Sequence, residues 1–246
     1  MSEKSGYAQK QKAAKLNLSS IVYAGKVILG TSLVPDPQYL LGLDPSHWSN
    51  VLDWHKAKEA GISFAIIKCM NGVNESQFFR ENYRGAKDAG VKVSLYSWLY
   101  PQSVVSPGRQ AREYALRIAD FPTDFPPAID FEWTFPKNPD SGDLYGMAIP
   151  LLTTLNIPKL ICYTAIGYWN QFGAPSKTIF SDLFYNWQAQ YKVTKPSKMP
   201  PWTDWNLWQW TDQGDGQKYG FPVYGERKCT LNYMRPEFAE RYGLNA

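Results

Sequence analysis

The chain has 246 residues, 44% of them hydrophobic and 20% charged, the composition of an ordinary globular protein with one large domain or two small ones. Its net charge of +4 rests on scattered lysines and arginines, which argues against a nucleic-acid partner and suits a mildly anionic surface such as a bacterial wall. Two histidines (His47, His55) and three widely spaced cysteines (Cys69, Cys162, Cys229), with no CxxC, argue against a zinc site, a histidine-based triad and a disulfide framework.

Residues 1–40 differ in character from the rest of the chain. Ser2 to Lys15 reads as a polar helix or an arm, and Ile21 to Leu33 as a strand or hairpin broken by Gly25 and Gly30. The apolar stretch is too short to span a bilayer, and too late and interrupted by Lys26 for the core of a signal peptide. No signal peptide and no stable membrane insertion are therefore expected. Pro35-Asp36-Pro37 marks a hinge into a main domain at residues 41–246, and residues 1–40 read as an extension for assembly or for covering one barrel end.

From Leu40 onward, short apolar runs alternate with amphipathic stretches. Leu40–Leu43 reads as a strand ending at Asp44, and Val51–Ala60 as a helix stopped by Gly61. A buried-type strand comes next at Ser63–Lys68, then a helix at Phe79–Ala89, a strand at Val91–Trp98 and a helix at Gly108–Ala119. Ala128–Glu132 is a strand with two carboxylates, Gly142–Leu155 a helix and Lys159–Tyr163 a strand. Further strands are expected at Leu183–Gln188, Asn206–Trp210 and Lys228–Asn232, joined by loops without helices. Strand–helix alternation with glycine stops predicts parallel βαβ units and an α/β barrel.

In such a barrel, chemistry sits at the C-terminal ends of the strands. Asp44 ends the first strand, Lys68 the second, Tyr96 and Ser97 lie at the third, Asp130 and Glu132 at the fourth, and Tyr163 at the fifth. Asp130 and Glu132 are two residues apart and so share one face of a strand. Like charges held close push one pKa up, leaving one proton donor and one ionised carboxylate, the pair that glycoside hydrolysis uses. Read singly, Asp130 is more simply a cap for the next element and Glu132 a solvated loop residue. Asp44 reads equally as the cap of a turn. The aromatic content of 15%, with 10 Trp and 16 Tyr, suits a sugar-stacking cleft or a large core.

The ordered set of motifs resembles the family-25 glycoside hydrolases, muramidases that cut peptidoglycan. The resemblance is carried by Gly42-Leu43-Asp44-Pro45-Ser46-His47-Trp48 with Leu52-Asp53-Trp54, by Phe64 to Lys68, and by Ile129-Asp130-Phe131-Glu132. Cys162-Tyr163-Thr164, Trp187 to Tyr191 and Leu207 to Thr211 continue it. It implies a single modified TIM-type barrel of five β/α units followed by three strands, (β/α)5β3. It implies that Glu132 is the proton donor, that Asp130 is an ionised partner acting on positive charge or on the substrate's N-acetyl group, and that Asp44 is a supporting acid. Tyr96, Tyr163, Trp208 and Lys68 are implied as substrate-binding residues, although Tyr163 and Trp208 also fit core packing. The implied partner is bacterial peptidoglycan, with no cofactor and no metal. The lack of a signal peptide and the short chain suggest a setting at the cell wall as a phage lysin or virion-associated enzyme, with residues 1–40 meeting other virion proteins.

Three departures stand out. Where the family usually carries an Asp two residues before a late Asn, this chain has Thr230 before Asn232, with Asp212 or Asp215 as substitutes from the neighbouring loop. The third strand ends Tyr96-Ser97-Trp98 in place of Tyr-His-Phe, and Ser49 stands where the family has Gln. These departures, with the extension, motivate a second reading, a wall-binding or virion structural protein on the same scaffold. A chitinase-like glycosidase is a third.

Overall fold

The computed structural model describes residues 35–134, 136–222 and 228–244. The helix or arm expected at Ser2 to Lys15 and the strand or hairpin expected at Ile21 to Leu33 lie outside the described residues. The first strand, β1, covers Leu40–Leu43 and is followed by helix α1 (Trp54–Glu59). Next come β2 (Ile62–Asn71), a two-residue strand β3 (Asn74–Glu75), α2 (Phe79–Asp88), β4 (Lys92–Trp98) and α3 (Pro107–Asp120). The acidic strand β5 (Ala128–Asp130) leads to α4 (Ser141–Leu155), β6 (Leu160–Ala165), α5 (Ile166–Phe172) and α6 (Ile179–Leu183). The chain then runs through β7 (Phe184–Ala189), β8 (Leu207–Asp215), β9 (Lys228–Met234) and α7 (Pro236–Arg241).

Eight strands close on themselves in the order β1-β9-β8-β7-β6-β5-β4-β2, sealed by the β1–β2 pairing, while β3 hangs on β2. All barrel pairings are parallel except those of β9, which runs against both β8 and β1. This is the (β/α)5β3 barrel, with no helix among the described residues that join β7, β8 and β9.

The last third is less bare than expected, however. α5, α6 and α7 occupy it, each seven residues or shorter and with no side-chain hydrogen bond at its N-cap. Such short helices lack the cap and the periodicity by which a helix shows itself in sequence. The opposite effect moves the start of α1. Asp53 Oδ1 accepts from the Lys56 backbone N–H at 3.0 Å, so the helix begins after Asp53 and not at Val51.

Alternation along the strands builds two cores. Phe64, Ile66, Tyr96, Ile161, Trp187 and Leu207 fill the barrel interior. Their neighbours, among them Ala65, Ile67, Leu95, Ile129, Leu160 and Trp208, belong to the larger core under the helices. Gly42 is required at its position, because an added Cβ would lie 2.4 Å from the Phe64 ring that plugs the barrel. Among the described residues no helix is long and apolar enough to cross a membrane, and no cluster of His, Cys, Asp and Glu is arranged to hold a metal ion.

Candidate active site

Asp44 is the first residue beyond β1. Two positions earlier, Gly42 is in register with Asn232 of β9, and Asn232 is in register with Gln209 of β8. Because β9 is antiparallel, its beginning reaches the end of the barrel where the parallel strands finish. Asp44 therefore meets residues nearly two hundred positions away. Thr230 Oγ1 donates to Asp44 Oδ1 at 2.5 Å, Asn232 Nδ2 donates to the same oxygen at 2.7 Å, and Gln209 Nε2 donates to Oδ2 at 2.5 Å. Burial raises the Asp44 pKa and the three donors lower it; burial wins and leaves it at about 6.

The two amides pass this order on. The Gln209 carbonyl oxygen accepts from Tyr163 Oη at 2.9 Å and from Tyr191 Oη. The Asn232 carbonyl oxygen accepts from Trp187 Nε1 at 2.8 Å.

The acid pair sits across the barrel mouth. Asp130 ends β5, in register with Trp98 on one side and Tyr163 on the other. Beyond it the Phe131 backbone N–H donates to Tyr163 O at 2.9 Å, and the Phe131 ring packs outward against Tyr168. Alternation thus continues past the strand end, and both Asp130 and Glu132 line the same cleft. Burial pushes Asp130 well above the usual carboxylate range, and the Glu132 charge pushes it further. Burial likewise raises Glu132, to about 7, with Lys68 opposing and Asp44 assisting. Asp130 Oδ1 is buried without a hydrogen-bond partner among the described residues.

Lys68 is 4% exposed, and its ammonium lies 4.0 Å from the centroid of the Trp98 ring. It does not line the cleft. Its charge acts on both carboxyls, lowering Asp130 and Glu132. With one positive charge beside two acids, a single proton shared by the pair leaves the cluster electrically neutral.

The cleft between these groups has a volume of about 760 Å³, in the range of small-molecule sites. Rings form much of its wall: Tyr96, Trp98, Tyr163, Trp187 and Tyr191, with Trp48 standing 69% exposed at the rim. Flat rings beside carboxylates and amides are the equipment of a saccharide site.

The structure brings together Asp44, Tyr96, Asp130, Glu132 and Tyr163 of the residues expected from sequence. Trp208 does not join them. It is 5% exposed in the core under the helices, with its indole N–H donating to Gln190 O at 2.7 Å. The neighbouring Gln209 faces the cleft in its place. The run Leu207-Trp208-Gln209-Trp210 hides its own alternation, because apolar residues stand on both faces. Trp187, Tyr191 and Asn232 escape sequence reasoning for a related reason: each lies inside a legible motif, and only the register shows which member faces inward. Thr230 replaces a negative charge with a hydroxyl donor to Asp44. Asp212 lines the cleft, whereas the Asp215 side chain accepts from the Gln217 backbone N–H in the turn beyond β8.

Known proteins share this outline. The family model described as Glycosyl hydrolases family 25 matches residues 43–218. "Lysozyme M1" of Streptomyces globisporus is 27% identical over 199 residues, covering 73% of this chain, which in turn spans 64% of that relative's length. Among solved structures, the bacterial lysozyme from Streptomyces coelicolor superposes with a TM-score of 0.70 at 20% identity, over 85% of this chain and 100% of that one. The catalytic domain of an endolysin from bacteriophage P40 of Listeria monocytogenes gives a TM-score of 0.61 at 17% identity, over 86% of this chain and 100% of that one.

Proposed function

The chain belongs to the glycosyl hydrolases of family 25, and on that premise we propose that it is a muramidase of bacterial peptidoglycan, hydrolysing the β-1,4 bond between N-acetylmuramic acid and N-acetylglucosamine. The observation that carries the reading is the meeting of Asp130 and Glu132 in one aromatic cleft, both with raised pKa, opposite a third buried acid, Asp44. Glu132 is the half-buried member and faces the space where a glycosidic oxygen would lie.

In the proposed reaction Glu132 gives its proton to the glycosidic oxygen as the bond to the anomeric carbon breaks. Positive charge develops on that carbon and is met by the substrate's own N-acetyl carbonyl oxygen. Asp130 accepts the N-acetyl N–H, which fits its unpartnered Oδ1. Water then attacks the anomeric carbon and displaces the N-acetyl oxygen, restoring the acetamide, and the proton of that water returns to Glu132. Before substrate arrives, burial favours the shared proton on Asp130. A bound sugar supplies Asp130 with a donor and covers Glu132, and both changes move the proton to Glu132.

Thr230, the departure that motivated a non-catalytic reading, is a donor to Asp44 and leaves the acid pair intact. The same reading puts the enzyme at the cell wall as a phage lysin or virion-associated enzyme, supported by the likeness to a phage endolysin. Residues 1–40 are proposed as an extension of the barrel domain that meets other virion proteins.

Mass analysis of peptidoglycan digests tests the reading. Wild type should release muropeptides with reducing-end N-acetylmuramic acid, and Glu132→Gln should release none. Intact walls after wild-type digestion, or products with another reducing end, would overturn it.

A further inference from the structure

Gln209 has one permitted orientation. Its amide nitrogen faces Asp44 Oδ2 at 2.5 Å, and the reversed amide would set a carbonyl oxygen against a carboxylate. Its carbonyl oxygen must therefore face Tyr163 and Tyr191, and both phenols must donate to it. Thr230 is committed in the same way, its hydroxyl proton going to Asp44 Oδ1 at 2.5 Å. Tyr163, Tyr191 and Thr230 all line the cleft.

We propose that Gln209 is a positioning residue that sets the hydrogen-bond polarity of this wall, so that Tyr163 and Tyr191 offer the substrate lone pairs only. The wall then selects a saccharide face that presents donors, hydroxyl or amide N–H, and turns away a face that presents acceptors. The inference deepens the muramidase reading and rests on it for the substrate class. It assigns Gln209 no contact with the reacting atoms.

The test is a double-mutant cycle read as KM and kcat on solubilised peptidoglycan chains. Tyr191→Phe should raise KM about tenfold with little change in kcat, the signature of a lost binding contact. In a Gln209→Met background the same tyrosine change should add little, because the polarity it depends on is already gone. Gln209→Glu supplies the readout that a merely structural role would not move. Held beside the ionised Asp44, the introduced carboxyl keeps its proton near neutral pH, so that its O–H donates to Asp44 and its carbonyl accepts from the phenols. KM should then stay within about twofold of wild type near pH 7, where Asp44 is ionised, and rise about tenfold near pH 9 as that proton leaves, a titration absent from Gln209→Met. The groups facing this position are Asp44 just beyond β1, Tyr163 from β6, Tyr191 after β7, and the uncharged Thr230 and Asn232 of β9; Asp212 of β8, whose charge acts on Tyr191, and Lys228 of β9 line the same cleft, and Asp130 and Glu132 lie across it. Both acid-pair residues are common to every variant, so their titration cancels in the comparison.

Independent, additive effects of Tyr191→Phe and Gln209→Met, or a Gln209→Glu profile parallel to wild type, would overturn the inference. If Gln209→Met does not fold, Tyr191→Phe and Gln209→Glu decide it alone. If wild type itself does not turn over peptidoglycan, the muramidase reading fails. The same cycle is then read as the calorimetric Kd of a soluble tetrasaccharide of alternating N-acetylglucosamine and N-acetylmuramic acid, and no measurable binding also overturns the inference.

Discussion

Asp44 and Gln209 are 165 residues apart in sequence and joined by a 2.5 Å hydrogen bond that links the end of β1 to β8 across the intervening β9. Asp44 also receives Thr230 and Asn232, so one carboxylate holds three donors. Its role in the proposed chemistry is that of a fixed acceptor and a negative charge near the acid pair, whose pKa values it raises.

Asp44→Asn should therefore damage the site beyond the loss of one charge. The new amide nitrogen would face a donor already in place, leaving buried N–H groups unpaired. Each such group costs about 1–3 kcal/mol. The expected outcome is a kcat/KM lower by about a hundredfold with a lower Tm. Calorimetry and digest kinetics on the same preparation check it, and a variant as active and as stable as wild type would contradict the acceptor role.

Glu132→Gln should be inactive and yet more stable than wild type above acid pH. The sign comes from linkage. The folded-state pKa of Glu132 is raised from 4.5 to about 7, so the folded state binds more protons than the unfolded state between those values. Stability contributed by this group is thus present below about pH 4.5 and lost as pH rises through about 7. Glutamine has no proton to lose. The variant's advantage should be nil near pH 4 and level off above pH 7 at about 2 kcal/mol, discounted for the partial exposure of the carboxyl. Chemical denaturation across that range checks it; an advantage that shrinks as pH rises would refute the assignment.

Thr230 offers a graded test of the hub. Thr230→Val removes a donor and keeps the shape, and should cost about 1 kcal/mol of stability. Thr230→Asp sets a second carboxyl against Asp44, where two charges cannot both ionise. Activity of Thr230→Asp should then fall off at a higher pH on the acid side than wild type, as Asp44 takes up its proton more readily. Parallel pH–rate profiles for the three proteins would show that the hydroxyl does not act through Asp44.

Trp208→Phe separates core from cleft. The indole N–H bonds to Gln190 O inside the core under the helices. Removing it should lower stability by about 1–3 kcal/mol and leave KM for peptidoglycan fragments unchanged. A KM that rises with unchanged stability would return Trp208 to the sugar site.

Much of this site is legible without the fold, because its acids sit where strand ends can be seen. Asp44, Asp130 and Glu132 each close a short apolar run, and a barrel brings strand ends together. The hidden part depends on register. Trp208 and Gln209 are neighbours, yet only pairing with β7 and β9 decides which faces the cleft. Lys68 closes an apolar run as visibly as Asp44, yet β2 continues past it to Asn71, and its burial beside Trp98, and so its action through charge, is a property of packing. Thr230 reads as a lost charge because a hydroxyl's partner cannot be seen from one strand alone.

The reversed direction of β9 makes the Asp44 socket the last part of the barrel to be assembled during synthesis. Every parallel strand delivers its contribution on the way out of the barrel, but Thr230 and Asn232 arrive on the way back in. A polypeptide still emerging from the ribosome has already made Asp130 and Glu132 while the socket for Asp44 does not exist. Until Asn232 has been synthesised, β1 lacks one of its two neighbours and the barrel stands open along a seam. Assembly of the cleft is thereby tied to the synthesis of β9, and a ribosome that stalls before it leaves a fragment with acids but no finished cleft.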